Sequence, residues 1–184
     1  GSGFLGSYVA DELTRRGYEV VIADVRESPY LTEKQSFISC DIMDPNSVNK
    51  TVKGAVVLYN FAGLADVDES IDRPRETIEQ NVIGNINILE ACLSNTIERY
   101  VYASSAYAVS NKGSFYGISK LTSEKIVEEY ASQHGVPYSI IRYGSLYGER
   151  ANEHNGVYRM LKKAIQTRAI HHDGDGEEVR EYIH

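Results

Sequence analysis

The sequence predicts an α/β fold: a doubly wound parallel sheet with helices on both faces. Three observations carry this. Strand and helix patterns alternate along the 184 residues, the strands are near-continuous apolar runs, and glycines stand where helices begin and end. Strands buried on both faces read as unbroken apolar runs because neither face meets water. In such sheets ligands sit beyond the C-terminal strand ends, at the switch in strand order.

The elements follow in order. Gly1, Gly3 and Gly6 open the chain and lead at once into a helical pattern of Leu5, Val9 and Leu13, which Gly17 closes. A glycine turn that feeds a helix is expected to follow a strand, so a first strand is expected upstream of residue 1. Glu19–Asp24 is the next strand, Phe37–Cys40 a short one and Ala55–Asn60 another. Pro74 precedes a helix whose apolar positions Ile78, Val82, Ile86, Leu89 and Leu93 step by three or four. Glu98–Ser104 reads as a strand, and about Phe115 to Gln133 as a helix closed by Gly135 and Pro137. Tyr138–Tyr143 is a further strand and Val157–Gln166 a helix. Residues 177–184 read as the start of another ordered segment, so the sequence is expected to be one domain cut at both ends. There is no internal repeat and no low-complexity linker.

Composition narrows the function. The chain carries 19 Lys+Arg against 26 Asp+Glu, a net charge of −7 with no basic run, which argues against nucleic acid as a partner. Hydrophobic residues at 42% and charged residues at 24% are ordinary for a soluble globular chain. The longest apolar stretch, Ala55–Tyr59, is far too short to span a membrane. No secretory pattern opens the chain, so the triplet Asn49-Lys-Thr51 is read as chance and the location as cytoplasmic. Cys40 and Cys92 sit in apolar contexts with no paired spacing and are read as buried thiols in a reducing compartment.

Gly1-Ser-Gly3-Phe-Leu-Gly6 opens a helix, and the amides of Gly3, Phe4, Leu5 and Gly6 can hold a pyrophosphate at its positive dipole end. Asp24 ends the next strand, 18 residues beyond Gly6, where a carboxylate can accept both ribose hydroxyls of an adenosine. It would repel a 2′-phosphate, which favours NAD over NADP, while Arg26 nearby pulls the other way. Asp41 follows Cys40 where a strand closes, placing a carboxylate and Ile42 near an adenine. Asn60-Phe-Ala-Gly63 ends another strand with small residues that let a ligand approach the backbone.

Tyr116-Gly-Ile-Ser-Lys120 puts a phenol and an ammonium four residues apart on one helix face. Tyrosine can move a proton to or from a substrate hydroxyl, and a neighbouring Lys⁺ is expected to lower its pKa by roughly 1–3 units. The spacing alone proves nothing, since Tyr30…Lys34 and Tyr158…Lys162 repeat it. Only Tyr116…Lys120 follows a strand ending in Ser104-Ser105, and Ser105 could bond the same substrate oxygen as Tyr116. His171-His172-Asp173 is not read as a metal site, because adjacent histidines on a strand point to opposite faces. Asp66, Asp68, Glu69 and Asp72 read as a solvated helix start, and Glu124–Glu129 as a half-exposed helix face.

Together these residues resemble the extended short-chain dehydrogenase/reductases, in the nucleotide-sugar epimerase/dehydratase family. The similarity runs through the whole chain: Gly1–Gly6, Asp24, Asp41-Ile42, Asn60–Gly63, Asn81-Val-Ile-Gly84, Tyr102-Ala-Ser-Ser105, Tyr116–Lys120, Ile141-Arg-Tyr143 and Arg180-Glu-Tyr-Ile-His184. The resemblance implies a Rossmann-type fold over residues 1–184, with most of a smaller C-terminal substrate domain absent. It implies NAD as cofactor, held by Gly3, Phe4, Leu5, Gly6 and Asp24, with Asp41 and Ile42 flanking the adenine. Phe61, Ala62, Gly63, Asn81 and Tyr143 would line the cofactor cleft. Ser105, Tyr116 and Lys120 match the catalytic positions, with Tyr116 as base and Lys120 on the nicotinamide ribose. Ser145 and Arg180 match substrate-binding positions. The family commonly forms homodimers through two helices per subunit, here those around Asn81–Leu93 and Tyr116–Tyr130.

Four departures shape the activity expected. The segment Ala106–Phe115 between serine and tyrosine is short. Ala106-Tyr107 stands where sugar 4,6-dehydratases usually carry an Asp-Glu pair, which favours an epimerase or a simple oxidoreductase. Ala65 replaces a lysine found in many galactose epimerases, and Ser145 an asparagine of the sugar site. The expectation is an NAD-dependent epimerase acting on a nucleotide sugar through a keto-sugar intermediate. The alternatives are an NAD-dependent sugar dehydratase or reductase of the same family, and a non-catalytic NAD-binding regulatory protein.

Overall fold

The computed structural model describes residues 1–170, 175–177, 179 and 181–184, and it divides into two compact units, Gly1–Arg142 and Tyr143–His184. In the first unit α1 (Phe4–Arg15) leads to the parallel pair β1 (Val20–Asp24) and β2 (Gln35–Ser39), in register from Val20 opposite Gln35 to Asp24 opposite Ser39. Then come α2 (Pro45–Val52), β3 (Val57–Asn60), α3 (Val67–Asp72), α4 (Pro74–Ile78) and α5 (Gly84–Asn95). β4 (Arg99–Ser105), α6 (Ser114–His134) and β5 (Tyr138–Tyr143) complete it. The order in the second sheet is β3-β4-β5, and β3 runs parallel to β4, with Val57 opposite Arg99 and Asn60 opposite Tyr102.

α1 covers one face of β1, while on the other face Val21 is 47% exposed. Ile22 joins Ala10 and Val20 in a cluster with Leu13 of α1, whereas its neighbour Ala23 packs against the larger core. Successive strand residues point to opposite faces, so this alternation puts apolar contacts on each side. The larger core gathers Val48 and Val52 of α2, Ile88, Leu89 and Cys92 of α5, Tyr100 and Tyr102 of β4, and Val127 of α6. Cys40 and Cys92 are both buried there as free thiols, and burial pushes the Cys92 thiol up to about 12.

Local chemistry sets the helix ends. α6 stops where Gly135 turns left-handed at φ +71° and its N–H bonds the Ala131 carbonyl. Asp66 caps α3 by accepting from the amides of Asp68 and Glu69, the solvated helix start expected from the acidic cluster. α2 was not expected from the sequence. Its eight residues follow an Asp44 cap that accepts from the Asn46 amide and a proline at the first helical position.

The helix expected after Pro74 is not continuous. Residues Glu79–Ile83 form a π-turn between α4 and α5. The inserted residue there changes which side chains face inward, and Asn81 and Val82 are both buried.

In the second unit β6 (Ser145–Leu146) pairs in parallel with β7 (Tyr182–Ile183), an ordered element within the stretch where the sequence predicts one. Asn155 caps α7 (Gly156–Thr167), accepting from the Tyr158 amide while its own amide donates to the Leu146 carbonyl. No helix among the described residues is long and apolar enough to cross a membrane.

Candidate active site

The glycine turn is built for an anion. α1 starts from an extended Gly3 with no side-chain cap and no acid in its first turn, so its leading N–H groups lack a side-chain partner of their own. Gly6 packs on the first residue so closely that a Cβ would stand 2.4 Å from the Gly1 carbonyl oxygen. A Cβ at Gly3 would project into open space at the helix mouth, where a phosphate would come. Phe4 and Leu5 are the first two residues of the helix, so their amides belong to that mouth.

Asp24 closes β1 beside the turn. Its Oδ2 accepts from the Ser2 amide at 2.9 Å and from the Gly1 nitrogen at 2.8 Å, while Oδ1 has only a long contact of 3.4 Å with the Arg26 amide. The Ser2 and Arg26 amides that donate to it favour its ionised form. Asp24 is thus an anion with one oxygen available for a hydroxyl donor. These residues fit the adenosine and pyrophosphate of a dinucleotide.

The other expected cofactor contacts have assignable roles. Asp41 is exposed and accepts from the Met43 amide at 2.9 Å, a turn contact. The Ile42 carbonyl accepts from Asn87, and its side chain packs against the core. Phe61 stacks on Tyr59, and the Ala62 amide donates to Asn60 Oδ1 at the end of β3. Asn81, expected to line the cleft, lies against Gly63 and is hydrogen-bonded within the chain. Its carboxamide bonds the Leu64 amide at 2.7 Å, the Leu64 carbonyl at 2.9 Å and Ser119 Oγ at 2.8 Å. At 2% exposure it is an internal tie between the loop after Gly63 and the helix that carries Tyr116. The π-turn presents it.

Ser105, Tyr116 and Lys120 are brought together as predicted, and all three are buried. Ser105 is the last residue of β4, close to the Tyr116 phenol, and its Oγ accepts from the Tyr107 amide at 3.2 Å. A tight turn at Ala106–Val109 then brings the chain back to α6. Gly117 makes this possible, since a Cβ there would lie 2.6 Å from the Tyr107 carbonyl oxygen. The short serine-to-tyrosine segment is therefore a compact turn set against the catalytic helix.

The electrostatics reverse one expectation. The sequence predicts a Lys⁺ that lowers the Tyr116 pKa. In the structure burial raises the phenol, with the nearby Ser105 hydroxyl acting against it. Lys120 is itself desolvated and falls to about 8, with the Glu124 carboxylate opposing the fall. Its amine donates to the Ala103 carbonyl at 2.8 Å and lies over the rings of Tyr102 and Tyr116, 5.0 and 5.8 Å from their centroids. The lysine is thus turned toward the strand.

One residue escaped sequence reasoning. Glu124, read as part of a half-exposed face, is 1% exposed. It accepts from Ser104 Oγ at 2.5 Å and from both arms of Arg142, at 2.9 and 2.6 Å. Burial acts to raise its carboxyl, yet the Arg142 and Ser104 bonds hold it below its ordinary value. The signal was its place four residues beyond Lys120 and eight beyond Tyr116.

Tyr143 closes β5, and Ser145 lies in β6 opposite Tyr182. Both belong to the second unit. Arg180 and the His171-His172-Asp173 cluster lie outside the described residues.

The profile of the NAD dependent epimerase/dehydratase family matches residues 1–184. The chain belongs to this family. It is 29% identical over 205 residues to a putative UDP-glucose 4-epimerase of Methanocaldococcus jannaschii, a match covering 100% of this chain and 67% of the relative. It is 31% identical over 207 residues to a UDP-N-acetyl-alpha-D-glucosaminuronate decarboxylase of Bacillus cytotoxicus, covering 98% and 64%. Among solved structures, the UDP-glucose 4-epimerase of Thermotoga maritima with UDP-glucose matches with a TM-score of 0.90 at 26% identity, over 100% of this chain and 67% of that one. The chain thus spans about two thirds of the length of these epimerase/dehydratase relatives, or slightly less. The family match covers the glycine turn, Asp24 and the Ser105/Tyr116/Lys120 set together.

Proposed function

We propose that the protein is an NAD-dependent epimerase of a nucleotide sugar, working by transient hydride transfer through a keto-sugar intermediate. The observation that carries this reading is the burial of Ser105, Tyr116 and Lys120 side by side in a chain whose first helix and Asp24 fit a dinucleotide. NAD bound there supplies a hydride acceptor that later returns the hydride, so the reaction needs no external oxidant. The residues of the chain handle the proton and the geometry. Tyr116 Oη takes the proton from the sugar hydroxyl as that carbon is oxidised, and gives it back when the carbonyl is reduced from its other face. Ser105 Oγ orients the same oxygen. Lys120 turns from Ala103 to the nicotinamide ribose, and its charge favours the tyrosinate. The absence of a carboxylate at Ala106 and Tyr107 speaks against the dehydratase alternative. The names of the relatives support a UDP-linked hexose as substrate.

In this reading residues 1–184 are the NAD-binding domain, and a strand preceding Gly1 joins β1 and β3 in one sheet. A smaller C-terminal substrate domain completes the protein, in line with the two-thirds coverage of the relatives. The protein is a cytoplasmic homodimer whose contact is made by α5 and α6. Ile83, Leu93, Phe115, Ile118 and Leu121 leave an apolar surface on these helices 37–57% exposed, which suits a second copy.

The test is epimerisation in D₂O of UDP-glucose and related UDP-hexoses by the NAD-loaded protein, followed by NMR. The expected result is a growing epimer with no deuterium at the reacting carbon, since the hydride returns to the carbon it left. Deuterium entering that carbon, or no turnover of any nucleotide sugar by protein that binds NAD, would overturn the proposal.

A further inference from the structure

We propose that Glu124 is a positioning residue for this reaction, holding the strand end that bears Ser105 in register with the helix that bears Tyr116 and Lys120. The inference rests on the function proposed above. Tyr116, Lys120 and Glu124 recur at intervals of four residues, so they lie in a row along one face of α6. β4 answers each of them in turn. Ser105 stands close to Tyr116, the Ala103 carbonyl accepts from Lys120, and Ser104 Oγ donates to Glu124.

The third donor makes the anchor rigid. Arg142 on β5, the strand next to β4, forks both carboxylate oxygens of Glu124. One buried carboxylate therefore ties two adjacent strands to the catalytic helix. Stability is a weak reason for such a pair, because burying the Glu124 carboxylate is costly and the Arg142 side chain, 46% exposed, stays largely in water. Fixed geometry is what it provides. Displacing a reacting group by about 1 Å can cost on the order of 100-fold in rate.

The experiment compares Glu124→Gln, Arg142→Gln and Ser104→Ala with wild type in the NAD-loaded whole protein. Glutamine keeps the shape of Glu124 but sets an amide against an Arg142 arm. The expected result is a fall in kcat of about 10- to 100-fold for Glu124→Gln, with KM and NAD affinity within about twofold. The double variant Glu124→Gln/Arg142→Gln should be no worse than the single one, because both break one fork. Wild-type kcat per NAD-binding site in Glu124→Gln, or in the two flanking variants should Glu124→Gln fail to fold, would overturn the inference.

A readout independent of turnover separates this inference from the proposed function. The charged and titratable groups around the Lys120 amine are Glu124 on its own helix and the rings of Tyr102 and Tyr116. Loss of the Glu124 charge should lower the Lys120 midpoint, followed by NMR of the labelled amine in the absence of NAD. An unchanged midpoint would overturn the positioning role even if the wild type turned over no sugar.

Discussion

The amine of Lys120 lies 2.8 Å from the carbonyl oxygen of Ala103, two residues before Ser105. Helix α6 is thus fastened to β4 by the lysine to which the proposed reaction gives a role. The same contact buries that amine, and burial is the main reason it sits near about 8 rather than in the usual lysine range.

This burial has a consequence for stability with a definite sign. An unfolded Lys120 keeps its proton up to its ordinary value of 10.5, whereas the folded one releases it near about 8. Between those limits the unfolded state binds more protons, so this group makes folding more favourable as pH rises. Below about 8 its burial is a full penalty. The expected outcome is that Lys120→Met loses this rising component. Denaturant unfolding of both proteins at several pH values between 7 and 10 checks it, and parallel curves would refute it.

Asp24 should govern cofactor choice. Replacing it with Asn removes the charge while leaving an acceptor. Hydrogen bonds to charged groups contribute about 1.5–3 kcal/mol, so NAD affinity should fall by roughly 10- to 100-fold. NADP, no longer facing a like charge, should lose little or gain. Calorimetric titration of both nucleotides measures the two effects together.

Gly117 offers a test with an inverted sign. In an exposed helix interior Gly→Ala usually stabilises by about 1 kcal/mol. At Gly117 the new methyl would lie 2.6 Å from the Tyr107 carbonyl, so the turn after Ser105 must move. Gly117→Ala should therefore lower Tm and kcat together. A raised Tm with unchanged kcat would show that the turn yields freely.

The juxtaposition of Ser105, Tyr116 and Lys120 was legible in the sequence because it is local. Tyr116 and Lys120 share a helix with a clear end at Gly135, and Ser105 closes the strand just before it. What escaped notice depends on distant partners. Glu124 sits in a charged run that reads as surface, and its Arg142 partner lies 18 residues away on another strand. α2 is short, with only Val48 and Val52 buried, too few to set a period. The π-turn at Glu79–Ile83 hides in a stretch whose apolar positions still step by three or four. Its presence redirects Asn81 to Leu64 and Ser119, which no spacing rule foretells. Helical proximity also suggested that Lys120 would lower the phenol, whereas burial raises the phenol and takes the lysine down to about 8.

The most direct test is Tyr116→Phe, assayed for epimer formation by NMR and for NAD binding by calorimetry on the same preparation. The phenol oxygen is the only atom removed, and proton transfer by such a group contributes about 10²–10⁴-fold. The expected result is a loss of turnover of at least that size with NAD affinity nearly unchanged. Full activity in Tyr116→Phe would contradict the assignment of Tyr116 as the acid/base, and with it the catalytic role given to this site.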